Sequence, residues 1–404
     1  MKKTVLLLSV LSLCACTENL EPTIQEVQEK AMQSQVENTH RVDEAQALEY
    51  ANLYFSQTQT RSTADLKRDY IVEDIVTRSG QAAKDTLAYV FNRGEEEGFV
   101  LVATDNRVYP LLAYSDTGHF EYEKGSTVDF AFVSRLGTYY EENEGEDIQT
   151  LTEEEIDACI MHYPEVSTSW GQGTPWDKYV IIEHPGCPVG CVAVATGLIM
   201  ANCKEELTYK GIKFDFAAIN EAIKGESTEV LPQPLHIVSG NDVNIKVKMT
   251  KEKAIDYVAQ LLYWIGKDLN MNYQPGGSGA VTAFAGPLLK ELGYTVITGP
   301  YDTMMLDYDI YDVIDYIENG GLVLMRGNTV GASGGHAWVV DGFSKCKLWY
   351  EQEYTNVSIH CDWGWDGSCN GYYNGEVFAT TLYQFEPASY FAIKNEKYDN
   401  LWTN

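Results

Sequence analysis

The sequence predicts an α+β fold built from two modules that an acidic segment separates. In the second half of the chain, helical patterns come first and strand patterns follow, which is typical of α+β domains and not of alternating βαβ units. The first half has helix and strand patterns of its own. Between the halves, residues 141–157 carry nine acidic side chains and no Lys or Arg. A chain of 404 residues, 45% of them hydrophobic, is long enough for a core in each module.

The first module has few elements, and each has a recognisable pattern. Apolar residues recur at helical spacing, then two β-rich runs flank a glycine-containing turn, and a further strand follows. Ser126 is suited to cap the last helix. The module therefore has, in order, a predicted helix, a hairpin, a strand and a helix: residues 43–55, 87–103, 108–114 and 126–140.

The second module begins with a compact apolar run of small residues that suits a buried helix, and three more helical patterns follow it. The predicted helices are residues 191–202, 252–269, 280–292 and 308–317. The predicted strands come after them: residues 322–325, 336–342, 347–350, 357–363 and 390–394.

The N-terminus has the pattern of an export signal. Two lysines precede an apolar stretch, residues 4–13, that is too short to cross a bilayer. The following Leu13-Cys14-Ala15-Cys16 resembles the lipobox of bacterial lipoproteins, in which the last cysteine is acylated. We expect lipid on Cys16, a polar tether after it, and a bacterial lipoprotein at the outer membrane, on its periplasmic or surface face. The alternative is an ordinary signal peptide that is cleaved nearby.

The net charge excludes one class of partner, and the cysteine count predicts a free thiol. A formal net charge of −30 argues against a nucleic-acid partner, because a surface of this sign cannot neutralise phosphates. Beyond Cys16 the chain has seven cysteines, and an odd number in an exported protein predicts at least one free thiol.

One cysteine lies where a thiolate would be stabilised. Gly190-Cys191 stands at the start of the small-residue helix, and the free N–H groups and dipole of a helix N-terminus lower the pKa of a thiol. Taken alone, a cysteine in an apolar run is more often a small buried hydrophobic residue. A second residue type is therefore needed before Cys191 can be considered a nucleophile.

A histidine and an aspartate farther along the chain have the properties that a cysteine nucleophile needs in its partners. His336 follows Gly334-Gly335 into a predicted strand, which suits a general base on rigid backbone with room for a substrate chain. Asp362 can accept the other ring proton of the histidine, and Trp363 can shield that bond from water. Taken alone, a histidine in this setting is as often a buried core residue. The alternative interpretation of the segment around Asp362 and Trp363 is an aromatic strand followed by a Gly-rich turn.

The order and spacing of these residues are more specific than each residue alone. His336 follows Cys191 by 145 residues, and Asp362 follows His336 by 26, which is the papain-type arrangement of cysteine before histidine. Gln172 lies ahead of the cysteine, where its amide can join the Cys191 backbone N–H in an oxyanion hole.

With these motifs together, the chain resembles the streptopain family of papain-like cysteine peptidases. The matching stretches are Gly171-Gln172-Gly173-Thr174-Pro175, residues 190–196, Gly335-His336-Ala337 with Val340-Asp341-Gly342, and Trp363-Gly364-Trp365. The resemblance implies Cys191 as nucleophile, His336 as base, Gln172 as oxyanion donor and Trp363 as a shielding residue. It also implies that Ser278, Gly279 and Gly335 border the substrate cleft, with no cofactor.

The first module, with residues 88–92 and 98–107, resembles the inhibitory prodomain of the same family. The resemblance therefore implies a secreted zymogen that acts on protein or peptide substrates and is inhibited by its own prodomain. The expected domains are a signal peptide, a tether, an inhibitory prodomain, an acidic linker with the activation cleavage, and a papain-like peptidase domain: residues 1–16, 17–41, 42–140, 141–165 and 166–404.

One departure leaves an alternative open. The family pattern has asparagine at the position of Asp362, so a catalytically inactive homologue that binds peptides or an inhibitor is a second hypothesis. A metal-binding protein is a third, because two groups combine His and Cys: His184, Cys187, Cys191 and Cys203, and His360, Cys361 and Cys369. Neither group has the paired spacing of zinc ligands, so we expect no metal.

Overall fold

The fold was analysed in a computed structural model. It describes residues 40–57, 66–76, 82–122, 128, 131–152, 159–164, 166–225, 228–230, 247–328, 335–346, 356–380 and 388–397. Residues 42–404 form one compact unit, distinct from residues 1–41. The predicted signal peptide and Cys16 lie outside the described residues. Within those ranges, no helix is both long and apolar enough to cross a membrane.

The described helices and strands follow in chain order. The α-helices are α1 Glu44–Gln57, α2 Leu136–Glu142, α3 Val180–Glu183, α4 Cys191–Cys203, α5 Phe216–Ile223, α6 Lys251–Asp268, α7 Ala285–Glu291 and α8 Ile310–Glu318. The strands of the first half are β1 Leu66–Val76, β2 Ala82–Arg93, β3 Phe99–Ala103, β4 Leu111–Ser115 and β5 Cys159–His162. Those of the second half are β6 Glu206–Tyr209, β7 Ile212–Asp215, β8 Thr228–Val230, β9 Val247–Met249, β10 Val296–Ile297, β11 Leu306–Asp307, β12 Gly321–Asn328, β13 Gly335–Cys346, β14 Asn356–Asp362, β15 Gly371–Asn374 and β16 Ser389–Lys394.

One antiparallel sheet runs through both predicted modules. Its strand order is β1-β2-β3-β4-β15-β14-β13-β12-β16-β10, with β11 on β16 and β5 on β13. The modules meet where β4 pairs with β15, with Tyr114 opposite Tyr372 and Ala113 opposite Tyr373. The rings of Tyr114 and Tyr372 stack at 5.4 Å across this junction. The first module therefore extends the sheet of the second.

Both faces of the central strands are buried, which explains their continuous apolar sequence. Along β12, Leu322 and Leu324 face a core shared with the helices of the second module. Val323 and Met325 point to the other face, where they share a core with first-module residues such as Phe132 and with α8. Because side chains alternate along a strand, each strand contributes to both cores.

Helix α4 is buried in the first of these cores, and its small residues allow close packing. All its residues from Val192 to Cys203 are buried. A Cβ on Gly197 would lie 2.6 Å from Leu262 of α6 and 3.3 Å from the ring of Trp170. The predicted buried helix is therefore confirmed, and glycine at this position sets the α4–α6 distance.

Most predicted elements agree with the structure to within a few residues, and four differ. The predicted helix over 126–140 is interrupted, because a 3-10 turn, Val133–Arg135, comes before α2. The predicted helix over 280–292 begins as a 3-10 turn, Thr282–Phe284, before α7. The predicted strand over 347–350 lies outside the described residues. The C-terminal end of the predicted linker is a strand, β5, which pairs with β13.

Candidate active site

The N-terminus of α4 carries Cys191 on a backbone that only glycine can precede. Gly190 has φ 96°, a conformation that L side chains rarely adopt. A Cβ there would also lie 2.8 Å from the sulfur of Met271 and 2.9 Å from the carbonyl oxygen of Ser278. Gly190 thus brings the start of α4 against the loop that contains Ser278.

The thiol of Cys191 is free and partly exposed. The pKa of the thiol is raised, not lowered as the sequence predicted, because burial outweighs the opposing effect of the backbone N–H groups of Ala337, Val192 and Cys191 itself. Two of these N–H groups belong to the first turn of α4, as the sequence predicted. The third belongs to β13, at the residue directly after His336.

The predicted oxyanion and cleft residues lie on either side of the segment before Cys191. The carbonyl of Gln172 accepts the Val189 N–H at 2.8 Å. The hydroxyl of Ser278 donates to the Pro188 carbonyl at 2.6 Å. Gly279 is exposed and exchanges backbone hydrogen bonds with Asn272. The structure therefore brings the backbone of Gln172, Ser278 and Cys191 into one neighbourhood.

The turn after Trp363 is fixed against the same neighbourhood. The Trp176 indole N–H donates to the Asp366 carboxylate, and the Asp366 N–H donates to the Trp170 carbonyl at 3.2 Å. A Cβ on Gly171 would lie 2.2 Å from that carboxylate, so the residue before Gln172 has no room for a side chain. Burial raises the pKa of Asp366, and the bond from Trp176 lowers it.

His336 lies on the other side of the sheet from α4 in this structure. Ala337 and Val339 face the α4 core, whereas Trp338 faces the opposite core, and His336 stacks on Trp338 with ring centroids 6.1 Å apart. Its Nε2 hydrogen-bonds the Trp363 carbonyl at 2.9 Å. Burial lowers the pKa of His336 to about 3, and the hydrogen bond to Trp363 opposes that shift. The buried imidazole is therefore neutral.

The predicted contact between Asp362 and His336 is absent from this structure. Asp362 pairs with Val339 across β13 and β14, which places its side chain on the α4 face, opposite to that of His336. Its carboxylate accepts the Gly364 N–H at 2.9 Å instead. Burial raises the pKa of Asp362 to about 7. Trp363 does flank the imidazole, at 6.1 Å between centroids.

Sequence reasoning missed a buried hydrogen bond between His360 and Asp341, which lie beside Asp362. His360 Nδ1 lies 2.6 Å from a carboxylate oxygen of Asp341, and the other oxygen accepts the Val166 N–H at 2.9 Å. Asp341 is fully buried, and both residues act electrostatically on Asp362. The signal was a charged residue inside an otherwise apolar strand, because a buried carboxylate requires such partners.

The cysteines do not assemble into a metal site in the described residues. Cys159 and Cys346 form a disulfide, and five thiols are free: Cys187, Cys191, Cys203, Cys361 and Cys369. Within the described ranges, no group of three or more His, Cys, Asp or Glu side chains is placed to hold a metal ion. Gly335, the remaining predicted cleft residue, is exposed and pairs with Asn328.

Comparison with protein families gives this arrangement its context. Residues 170–373 match the model of the peptidase C10 family. The chain belongs to this family. Residues 39–135 match the model described as Spi protease inhibitor. The predicted family, the α+β fold with an inhibitor-like module ahead of the peptidase, and the class of cysteine-type peptidase are therefore confirmed.

Two curated relatives are similar in sequence to most of the chain. The chain is 26% identical over 363 residues to the thiol protease/hemagglutinin PrtT of Porphyromonas gingivalis, covering 82% of this chain but only 38% of PrtT. It is 25% identical over 355 residues to streptopain of Streptococcus pyogenes, covering 78% of each. A solved fragment of Prevotella intermedia prointerpain A, 19% identical, superposes with a TM-score of 0.49 and covers 82% of this chain and 98% of the fragment.

Proposed function

We propose that the chain is the zymogen of a cysteine endopeptidase, with Cys191 as nucleophile and His336 as general base after activation. One observation carries the proposal. Cys191 packs against the core cluster that contains Ala337, and the Ala337 N–H lowers the pKa of its thiol, so Cys191 lies near the residue that follows His336. In the proposed activation, a rotation at the start of β13 carries the imidazole from one face of the sheet to the thiol.

The reaction follows from these groups. His336 takes the thiol proton, and the thiolate attacks the carbonyl carbon of the scissile peptide bond. The Cys191 N–H and the Gln172 amide stabilise the resulting oxyanion. His336⁺ then donates its proton to the leaving amine as the C–N bond breaks, which leaves a thioester. Water, deprotonated by His336, hydrolyses the thioester and restores the thiol.

The other predicted residues support these steps in the proposal. Asp362 would orient His336 in the active form, and Trp363 would shield that contact from water. Ser278, Gly279 and Gly335 would border the bound substrate chain, where small residues allow its backbone to approach. Each role belongs to the activated enzyme, because the zymogen keeps Asp362 and His336 on opposite faces of the sheet.

The first module, here called the prodomain, accounts for the inactive position of His336. The core on the His336 side of the sheet includes Phe132 and Trp338, one from each module. Arg135 is fully buried, and its Nη1 donates to the carbonyls of Phe378 and Thr380 at 3.5 and 3.4 Å. Protein substrates and inhibition by this prodomain follow from the family and complete the proposal.

Substitution of the thiol tests the proposal directly. Cys191→Ala should abolish peptide hydrolysis after prodomain removal, whereas Cys203→Ala, at the other end of the same helix, should retain it. The circular dichroism spectra of both variants should match that of the wild type. Hydrolysis by Cys191→Ala would refute the nucleophile. The inactive-homologue hypothesis predicts no hydrolysis by any chain, and no labelling of Cys191 by a peptide-like thiol reagent.

Export and lipid attachment are a separate part of the proposal. The lysine-led apolar stretch and the lipobox-like Leu13-Cys14-Ala15-Cys16 support acylation of Cys16 in a bacterial outer membrane. Cys16→Ser should move the protein from the membrane fraction to the soluble fraction. Unchanged partitioning would favour an ordinary cleaved signal peptide.

A further inference from the structure

A short segment after the acidic block is built into the peptidase half of the molecule. This strap, residues 159–164, contains β5, whose four residues pair with the C-terminal part of β13 from Phe343 to Cys346. The disulfide between Cys159 and Cys346 closes the first pair of this ladder. The His162 ring stacks on Phe343 at 5.2 Å, and the His162 carbonyl accepts the Tyr372 hydroxyl at 3.1 Å.

The sequence of β13 accommodates the strap. A Cβ on Gly342 would lie 2.7 Å from the His162 carbonyl oxygen and 3.4 Å from the Pro164 nitrogen. Glycine at this position therefore lets the C-terminal end of the strap lie in close contact with β13. His360 Cβ lies 3.2 Å from the same point, so the strap, Gly342 and His360 are packed closely together.

The chain stays attached to the peptidase beyond the strap. The Val166 N–H donates to Asp341, and the Ser167 N–H donates to the Asn202 side chain at 3.2 Å. Thr168 and Trp170 are buried. By contrast, residues 144–150 are exposed along their whole length. The same predicted linker thus has an exposed part before the strap and a firmly bonded part from Cys159 onward.

This difference bears on where the activating cleavage falls. A peptidase cuts a segment that can leave its pairing and enter a cleft in extended form, so local unfolding limits cleavage of bonded segments. Cutting after Cys159 requires that β5 leave β13 while the disulfide holds its first residue in place. Cutting within the exposed part requires only that the bonds from the Gln149 N–H to the Asn106 carbonyl and from Arg107 to the Glu144 carbonyl open.

We propose that the activating cleavage lies on the N-terminal side of Cys159, and that the Cys159–Cys346 disulfide stops further trimming. The strap then remains in the mature enzyme as a strand of its sheet. This assigns to the mature chain a segment that neither family match includes, because the inhibitor match ends at residue 135 and the peptidase match begins at 170. The proposal deepens the zymogen proposal, which supplies the activating cleavage.

The test uses the full Cys191→Ala chain, so that its outcome does not depend on peptidase activity. Limited digestion with subtilisin should leave a stable C-terminal fragment, whose first residue is identified by N-terminal sequencing and by intact mass without reductant. We expect a first residue at or before Cys159. A fragment that begins at residue 160 or later, with a Cys159-containing peptide still linked to Cys346, would overturn the proposal.

Removal of the disulfide tests whether it sets the first residue of the stable fragment, here called the boundary. In the chain that also carries Cys159→Ser and Cys346→Ser, trimming should continue past residue 162, and the first residue should fall between 163 and 169. Cys187→Ser is the control, because that thiol is free, and it should leave the boundary unchanged. An identical boundary with and without the disulfide would refute its role.

Reduction provides the same test without substitution, should the serine variant fail to fold. Dithiothreitol gives two electrons and two protons to the Cys159–Cys346 bond, which yields two thiols and oxidised dithiothreitol. Digestion of the reduced Cys191→Ala chain should then move the boundary past residue 162, and an unmoved boundary would refute the disulfide's role. If wild-type zymogen activates itself, its mature N-terminus should match that of the oxidised fragment. A chain without any peptidase activity would sink the proposed function and leave the boundary result valid.

Discussion

Two buried groups, Asp362 and His336, should change the stability of the zymogen in opposite directions as the pH rises. Asp362 has its pKa raised to about 7 from 3.8, so the folded zymogen holds a proton that the unfolded chain has lost. Its contribution to the free energy of unfolding therefore falls as pH rises from about 4 to 7. His336 has its pKa lowered to about 3 from 6.5, so the unfolded chain takes up a proton that the folded zymogen refuses. Its contribution rises with pH over that window.

The magnitudes follow from these four pKa values. Between pH 5 and pH 8, Asp362 should lower the free energy of unfolding by about 3 kcal/mol. Over the same interval His336 should raise it by about 2 kcal/mol. These two contributions nearly cancel, so this site should add little net pH dependence to the free energy of unfolding of the zymogen. Asp341 and His360, which face Asp362, stay in place in the comparison that follows.

Asp362→Asn in the Cys191→Ala background separates the two effects. Asparagine keeps an acceptor for the Gly364 N–H and has no proton to lose, so the variant should become about 2 kcal/mol more stable at pH 8 than at pH 5. His336→Asn in the same background should show the opposite trend. Urea unfolding at the two pH values, followed by tryptophan fluorescence, measures both. Parallel pH profiles for Asp362→Asn and its parent would refute the assignment of a proton to buried Asp362.

Two further substitutions test the site and the prodomain contact. Gly190→Ala forces a positive φ on alanine and drives its Cβ into Met271 and the Ser278 carbonyl, so it should destabilise the zymogen by about 2–4 kcal/mol and impair hydrolysis. Gly276→Ala, in the same loop region with open space around the Cβ, should change urea stability little, and equal effects of the two would contradict the reasoning. Arg135→Met removes two hydrogen bonds that a buried cation makes to carbonyls of the peptidase half. The zymogen should therefore convert to mature enzyme faster, as measured by gel densitometry. An unchanged rate would exclude Arg135 as an anchor of the prodomain.

The sequence was most informative where a residue type has a local physical requirement. The small residues of α4, the glycine before Cys191 and the strand character of β12 and β16 all follow from local packing and backbone limits. Helix periodicity located α1, α6 and α8 to within a few residues. These features need no knowledge of distant contacts, and they were predicted correctly.

Features that depend on long-range pairing were not predicted. Strand β15 is four residues long and gains its neighbours from β4 and β14, which lie far away in the chain. His336 points to the face of β13 opposite to α4, and the spacing of the motifs carries no information about that face. Asp341 was quoted only as part of a motif, because its partner His360 becomes adjacent only through the β13–β14 ladder.

The junction between β4 and β15 has a consequence for how inhibition ends. Cutting the linker breaks one peptide bond but leaves the strand pairing and the shared core intact, so the nicked prodomain becomes a tight but dissociable ligand. Its effective concentration then drops from the intramolecular value to the bulk one. Activity should therefore lag behind scission and rise on dilution. Since Cys16 precedes the prodomain, a lipid there would stay with the inhibitor, and each dissociation would release an unanchored enzyme that gains activity as it leaves its inhibitor.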